Sequence, residues 1–226
     1  NIVVGSMCAN DIDRYAHNLT EQGILRLVES GVKYEEAYYN FSALSTASGL
    51  ATLTTGANPS AHGIVGERWY SPTDAKSISL IADNKAMSVE FSVGARSCSP
   101  HRLIAPTYGD ILLSESPQSK QFTVAVDALS AIVLNGRRGI ALWAEKNQTH
   151  WTTSSAYIEK LPEWIKAYNK NDTNSEYSLK RWTTLYKADS YRNSEVGVVE
   201  GIKDKPTHLI TNLNTINICN IYHRAI

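Results

Sequence analysis

The sequence predicts an α/β fold with a mostly parallel sheet flanked by helices. Three observations carry this: short β-prone apolar runs, segments of helical period between them, and turn residues at the joins. Ile2-Val-Val4 reads as a buried strand ended by Gly5-Ser6, and residues 21–30 place Ile24, Leu25, Leu27 and Val28 at helical spacing before Gly31 stops them. Residues 32–39 read as the next strand. A small-residue helix headed by Thr46 follows, then a stretch punctuated by proline and glycine to Asp74, a helix over 108–114 and an apolar strand at Phe122-Thr-Val-Ala-Val126. Beyond Gly139-Ile-Ala-Leu-Trp143 the composition turns to tryptophan, tyrosine and lysine, with helices expected over 161–168 and 177–186. The tail after Pro206 mixes strand-prone residues with asparagines and reads as an interrupted end. The whole, residues 1–226, is read as a single α/β domain lacking a C-terminal half, with 144–205 as a helical insertion or cap.

Composition narrows the functional classes. Hydrophobic residues make up 42 % of the 226, enough for a substantial core, and 22 basic side chains balance 22 acidic ones. No global field therefore draws nucleic acid or an anionic membrane, and any preference for phosphate is local. Cys8, Cys98 and Cys219 have no C-x-x-C spacing, which argues against a thiolate zinc site or a disulfide scaffold. No run approaches the roughly 20 apolar residues that span a bilayer, and the sequence opens on Ile2-Val-Val4 with no basic n-region or cleavage site, as it would after a leader had been trimmed.

The stretch from Phe41 to Gly56, continuing through His62-Gly-Ile-Val-Gly-Glu-Arg-Trp-Tyr70, has the character of a nucleophile-bearing turn feeding a helix. The first backbone N–H groups of a helix lack internal partners and favour anions, so a hydroxyl at that point is well placed to meet a phosphate. The bland reading of Thr46 is a helix cap. Asp13 and His17, four apart, would share a helix face and form at most a weak two-ligand metal site; His62 before Gly63 reads as a backbone-bonded structural histidine. Arg137-Arg138 offers bidentate anion contacts or a solvated turn, and the aromatics from Trp143 to Tyr186 offer stacking platforms or core.

Taken together, Ile2-Val-Val-Gly-Ser-Met7, the Thr46 segment, Thr54-Thr-Gly56, the His62 to Tyr70 run, Ser99-Pro-His-Arg-Leu-Ile-Ala-Pro-Thr107 and Leu161-Pro-Glu-Trp-Ile-Lys-Ala-Tyr-Asn169 resemble the N-terminal half of the alkaline phosphatase superfamily. Within it the likeness is to the type I phosphodiesterase and nucleotide pyrophosphatase group, and to bacterial phosphomonoesterases with a threonine nucleophile. The resemblance implies hydrolysis of phosphomonoesters, phosphodiesters or sulfate esters, Thr46 at the nucleophile position, and Glu67 and Arg68 as candidate substrate-binding residues. It implies a pair of divalent metals, commonly zinc, and export to the periplasm or beyond.

The sequence departs from that pattern at telling places. The aspartate expected at the end of the first strand is matched by Gly5, with Asp11 and Asp13 a few residues beyond, and no Asp-His pair supplies the ligands of a second metal. An asparagine would stand at Glu67, and a lysine and an arginine near Val126 and Ala128. No metal ligand is assigned, and this chain is expected to bind no metal pair. Two readings follow: a hydrolase acting through Thr46, or a non-catalytic relative that binds a ligand or partner at the cell envelope. An uncovered sheet edge would favour association with another copy or with a missing half.

Overall fold

The computed structural model describes residues 3, 10–34, 36–89, 96–145 and 150–171. Apart from Val3, the expected strand at 2–4 lies outside these, as do Gly5, Cys8, Cys219, the helix at 177–186 and the tail. The described residues fall into two compact units that divide between Asn40 and Phe41.

In the first unit α1 spans Asp11–Arg14 and a 3₁₀ turn spans Ala16–Asn18. Tyr15 leaves helical geometry between them (φ −109°, ψ 12°), so Asp13 and His17 do not share one helix face. Asp13 instead pairs with Lys33 at 3.5 Å. The helix expected over 21–30 is present in two pieces, a π-type turn at Glu21–Leu25 and α2 at Arg26–Ser30, with Gly23 non-helical between its neighbours (φ −97°, ψ −129°). The strand expected over 32–39 is not formed among the described residues: Val32, Tyr34, Tyr38 and Tyr39 are all exposed. β-prone composition does not make a strand without a partner to complete its ladder.

The second unit begins with α3 at Thr46–Thr55 and α4 at Pro59–His62. Two antiparallel pairs follow. β1 (Arg68–Ser71) joins β2 (Lys76–Ser79), and β3 (Ala82–Met87) joins β4 (Arg96–Cys98) across an irregularity between Asp83 and Met87. The chain then runs through α5 (Tyr108–Glu115), β5 (Phe122–Ala125), α6 (Ala128–Asn135), β6 (Ile140–Ala144), β7 (Trp151–Thr152) and α7 (Glu163–Lys170).

β5 and β6 are parallel, with Phe122 opposite Ile140 and Ala125 opposite Trp143, and α6 is their crossover. This βαβ unit is the parallel pairing found among the described residues; the other three pairings are antiparallel, which makes the observed fold mixed α/β. β6 is buried on both faces, as a central strand of such a sheet should be. Ala141 and Trp143 face Ala131 and Ile132 of α6, while Leu142 faces Trp151, Leu161 and Ile165 on the α7 side. A third cluster, Ala47, Ala51, Ile64, Leu80, Leu103 and Val133, joins α3 to α6.

Candidate active site

The start of α3 is built by two serines. Ser45 is the cap: its Oγ accepts the Ser48 N–H at 3.1 Å, the Ser48 Oγ accepts the Ser45 N–H at 3.0 Å, and the Ser48 hydroxyl also donates to the Ala43 carbonyl. The burial stripe of the helix then runs through Ala47, Ser48, Ala51 and Thr54. Thr46 is the first helical residue, lies off that stripe and is exposed, and its hydroxyl has no partner among the described residues. The capping role thus belongs to Ser45, which leaves Thr46 with a solvent-facing hydroxyl at the positive end of a helix.

α3 packs against α6. Thr54, near the end of α3, donates to the Val133 carbonyl near the end of α6 at 3.3 Å, and Leu129 of the first α6 turn packs on the cluster that holds Ala47. β5 delivers its C-terminus to the start of α6, the usual ligand end of a parallel α/β sheet. Val126 closes the β5 ladder by accepting the Ala144 N–H at 3.2 Å, Asp127 caps α6 by accepting the Ser130 N–H at 2.8 Å, and Ala128 opens the helix. Val126 and Ala128 thus flank the α6 cap. The cap there is anionic, and it offsets the attraction that the α6 start would exert on a phosphate.

Glu67 and Arg68 are both exposed at the root of the β1–β2 hairpin. The Glu67 carbonyl accepts the Leu80 N–H at 2.9 Å, and Trp69 packs on the cluster of Ala47 and Ala51, which ties the hairpin to the core that α3 lines. The hairpin itself is absent from the sequence expectation because Gly66, Pro72 and Thr73 read as punctuation.

Two histidines have settled roles. His62 is fully buried; its Nδ1 accepts the Ile64 N–H at 3.1 Å, so the ring proton is on Nε2 and points to Thr52 Oγ1 at 3.1 Å. Burial depresses its pKa and keeps it neutral, in keeping with the structural role expected of it.

His101 belongs to a Ser, His and Asp cluster that sequence spacing did not reveal. The Ser99 hydroxyl donates to Asp83 Oδ2 at 2.6 Å and accepts from His101 Nδ1 at 2.9 Å. That order is the reverse of a nucleophilic triad, because the serine gives its proton to the carboxylate and faces no base. Ser99 is only 3 % exposed, and the hydrogen bonds it and the Lys85 N–H make to Asp83 hold that carboxyl below its ordinary range. The cluster pins the loop after β4 to β3.

Arg137 and Arg138 are exposed, and their backbones are fixed by one carboxylate. Both N–H groups donate to Asp110 Oδ1 at 2.8 Å, and the Arg137 guanidinium donates to the Leu103 carbonyl. Among the aromatics, Trp143 and Trp151 are core and the Tyr157 hydroxyl donates to the Gly136 carbonyl at 3.0 Å, whereas Trp164 lies edge-on to Phe122 at 5.8 Å.

Among the described residues no group of three His, Cys, Asp or Glu side chains is placed to hold a metal ion. Two carboxylates of this unit are already committed: Asp127 to its cap, Asp110 to three backbone N–H groups. The described residues thus do not fit a two-metal site. Among them, too, no helix is long and apolar enough to cross a membrane.

Comparison with known proteins gives a consistent picture. A protein named calcium-transporting ATPase from Myroides odoratus is 30 % identical over 84 % of this chain and 35 % of its own length. Alkaline phosphatase PafA from Elizabethkingia meningoseptica is 28 % identical over 94 % of this chain and 40 % of its own. The crystal structure of a four-substitution variant of PafA superposes with a TM-score of 0.80 at 27 % identity, over 93 % of this chain and 42 % of that one. The chain thus spans well under half the length of these relatives. The sequence pattern of the type I phosphodiesterase / nucleotide pyrophosphatase family matches residues 2–220, and the chain belongs to that family, within the alkaline phosphatase superfamily.

Proposed function

We propose that this chain carries the nucleophile-bearing portion of an exported hydrolase of phosphate or sulfate esters, with Thr46 as the nucleophile. The observation that supports this most is the exposed Thr46, released from capping by Ser45 and set at the first position of α3. In the reaction the Thr46 oxygen bonds to phosphorus as the ester P–O bond breaks, and the leaving alcohol takes the proton that threonine gives up. Water then cleaves the phosphothreonine and restores the hydroxyl. A metal pair, where bound, would supply charge neutralisation of the transferring group; the described residues form no such site among themselves. Residues 1–226 are read as one portion of an alkaline-phosphatase-like domain, with 144–205 as an insertion or cap.

The second reading, a non-catalytic ligand- or partner-binding relative at the cell envelope, is favoured by Glu67 and by the Val126-Asp127-Ala128 junction. These put carboxylates and apolar groups where an ester dianion would call for cations and neutral donors. Turnover of p-nitrophenyl phosphate, bis-p-nitrophenyl phosphate and p-nitrophenyl sulfate with added zinc separates the two. Thr46-dependent release of nitrophenol supports the hydrolase; no release from any of the three leaves the binding reading standing.

A further inference from the structure

We draw no further inference here: the strongest candidate, the exposed apolar face that Phe122 and Val124 of β5 share with Trp164 and Tyr168 of α7, carries nothing because nothing in the structure shows what covers it.

Discussion

α3 and α5 begin with the same device and put it to different uses. Ser45 and Ser48 exchange side-chain and backbone hydrogen bonds at one start, Thr107 and Asp110 at the other. At α5 the third helical residue is a carboxylate that reaches beyond its own helix. Asp110 Oδ2 accepts the Thr107 N–H at 3.0 Å, while Oδ1 accepts the N–H groups of Arg137 and Arg138 at 2.8 Å each, 27 and 28 residues away. At α3 the third residue is a serine whose bonds stay within five residues. The α5 box is therefore a junction of the fold, and the α3 box is a local support that leaves its neighbour Thr46 free. Polar groups that are buried and fully paired hold structure; an exposed hydroxyl on a well-capped helix is available for chemistry.

The contrast is sharpest in stability. Asp110 is 4 % exposed, and Asp110→Ala removes the acceptor of three N–H groups, the Thr107 one buried and those of Arg137 and Arg138 partly buried. A loss of about 3–5 kcal/mol is expected in urea unfolding, since each unpaired buried group costs about 1–3 kcal/mol. A loss below about 1 kcal/mol would remove the junction's special status.

Gly136 is the next test. Its φ of 77° favours glycine, and a Cβ there would lie 2.4 Å from both Asp110 Oδ2 and Thr107 Oγ1. Gly136→Ala should cost about 2–4 kcal/mol in the same assay, from backbone strain plus displacement of the Asp110 carboxylate.

A smaller effect is expected from pH. His62 has a depressed pKa in the folded state, so the unfolded chain binds the extra proton first. Its contribution is complete above the unfolded value of about 6.5 and is lost as pH falls from there through the folded value. His101 is displaced the same way, by burial and by Arg102. Unfolding midpoints measured from pH 7.5 to 5 should fall, and His62→Gln should flatten part of that slope while the His101 part persists. An unchanged slope in the variant would show that His62 titrates normally.

The smallest stability effect belongs to Thr46. Thr46→Ala should shift unfolding by less than about 0.5 kcal/mol, as expected of an exposed side chain without partners. If the variant instead loses as much as Gly136→Ala, Thr46 is a structural residue and the comparison collapses.

How much of this was legible in the sequence depends on the range over which each feature acts. α5, β5 and α7 lie within two residues of their expected bounds, because caps and apolar runs are local signals. Thr46 was found through its surroundings, but that Ser45 and not Thr46 caps the helix depends on the Ser48 side chain turning back. The strand over 32–39 failed because pairing is not encoded in composition alone. The Asp110 junction and the Asp83, Ser99 and His101 cluster were invisible because their members are separated by up to 28 residues and meet only when α6 and β4 are in place. Nothing near the two arginines in sequence announces the carboxylate that holds their backbone, for the same reason.

On the proposed reading the Thr46 oxygen takes up the phosphoryl group. Acid quenching of the protein during incubation with p-nitrophenyl phosphate and zinc, followed by peptide mass spectrometry, addresses it directly. The expected result is phosphothreonine at Thr46 that is absent from Thr46→Ala, with turnover in that variant down by about 10³-fold or more. Turnover that persists in Thr46→Ala, or a phosphoryl group found on another residue, would contradict the claim.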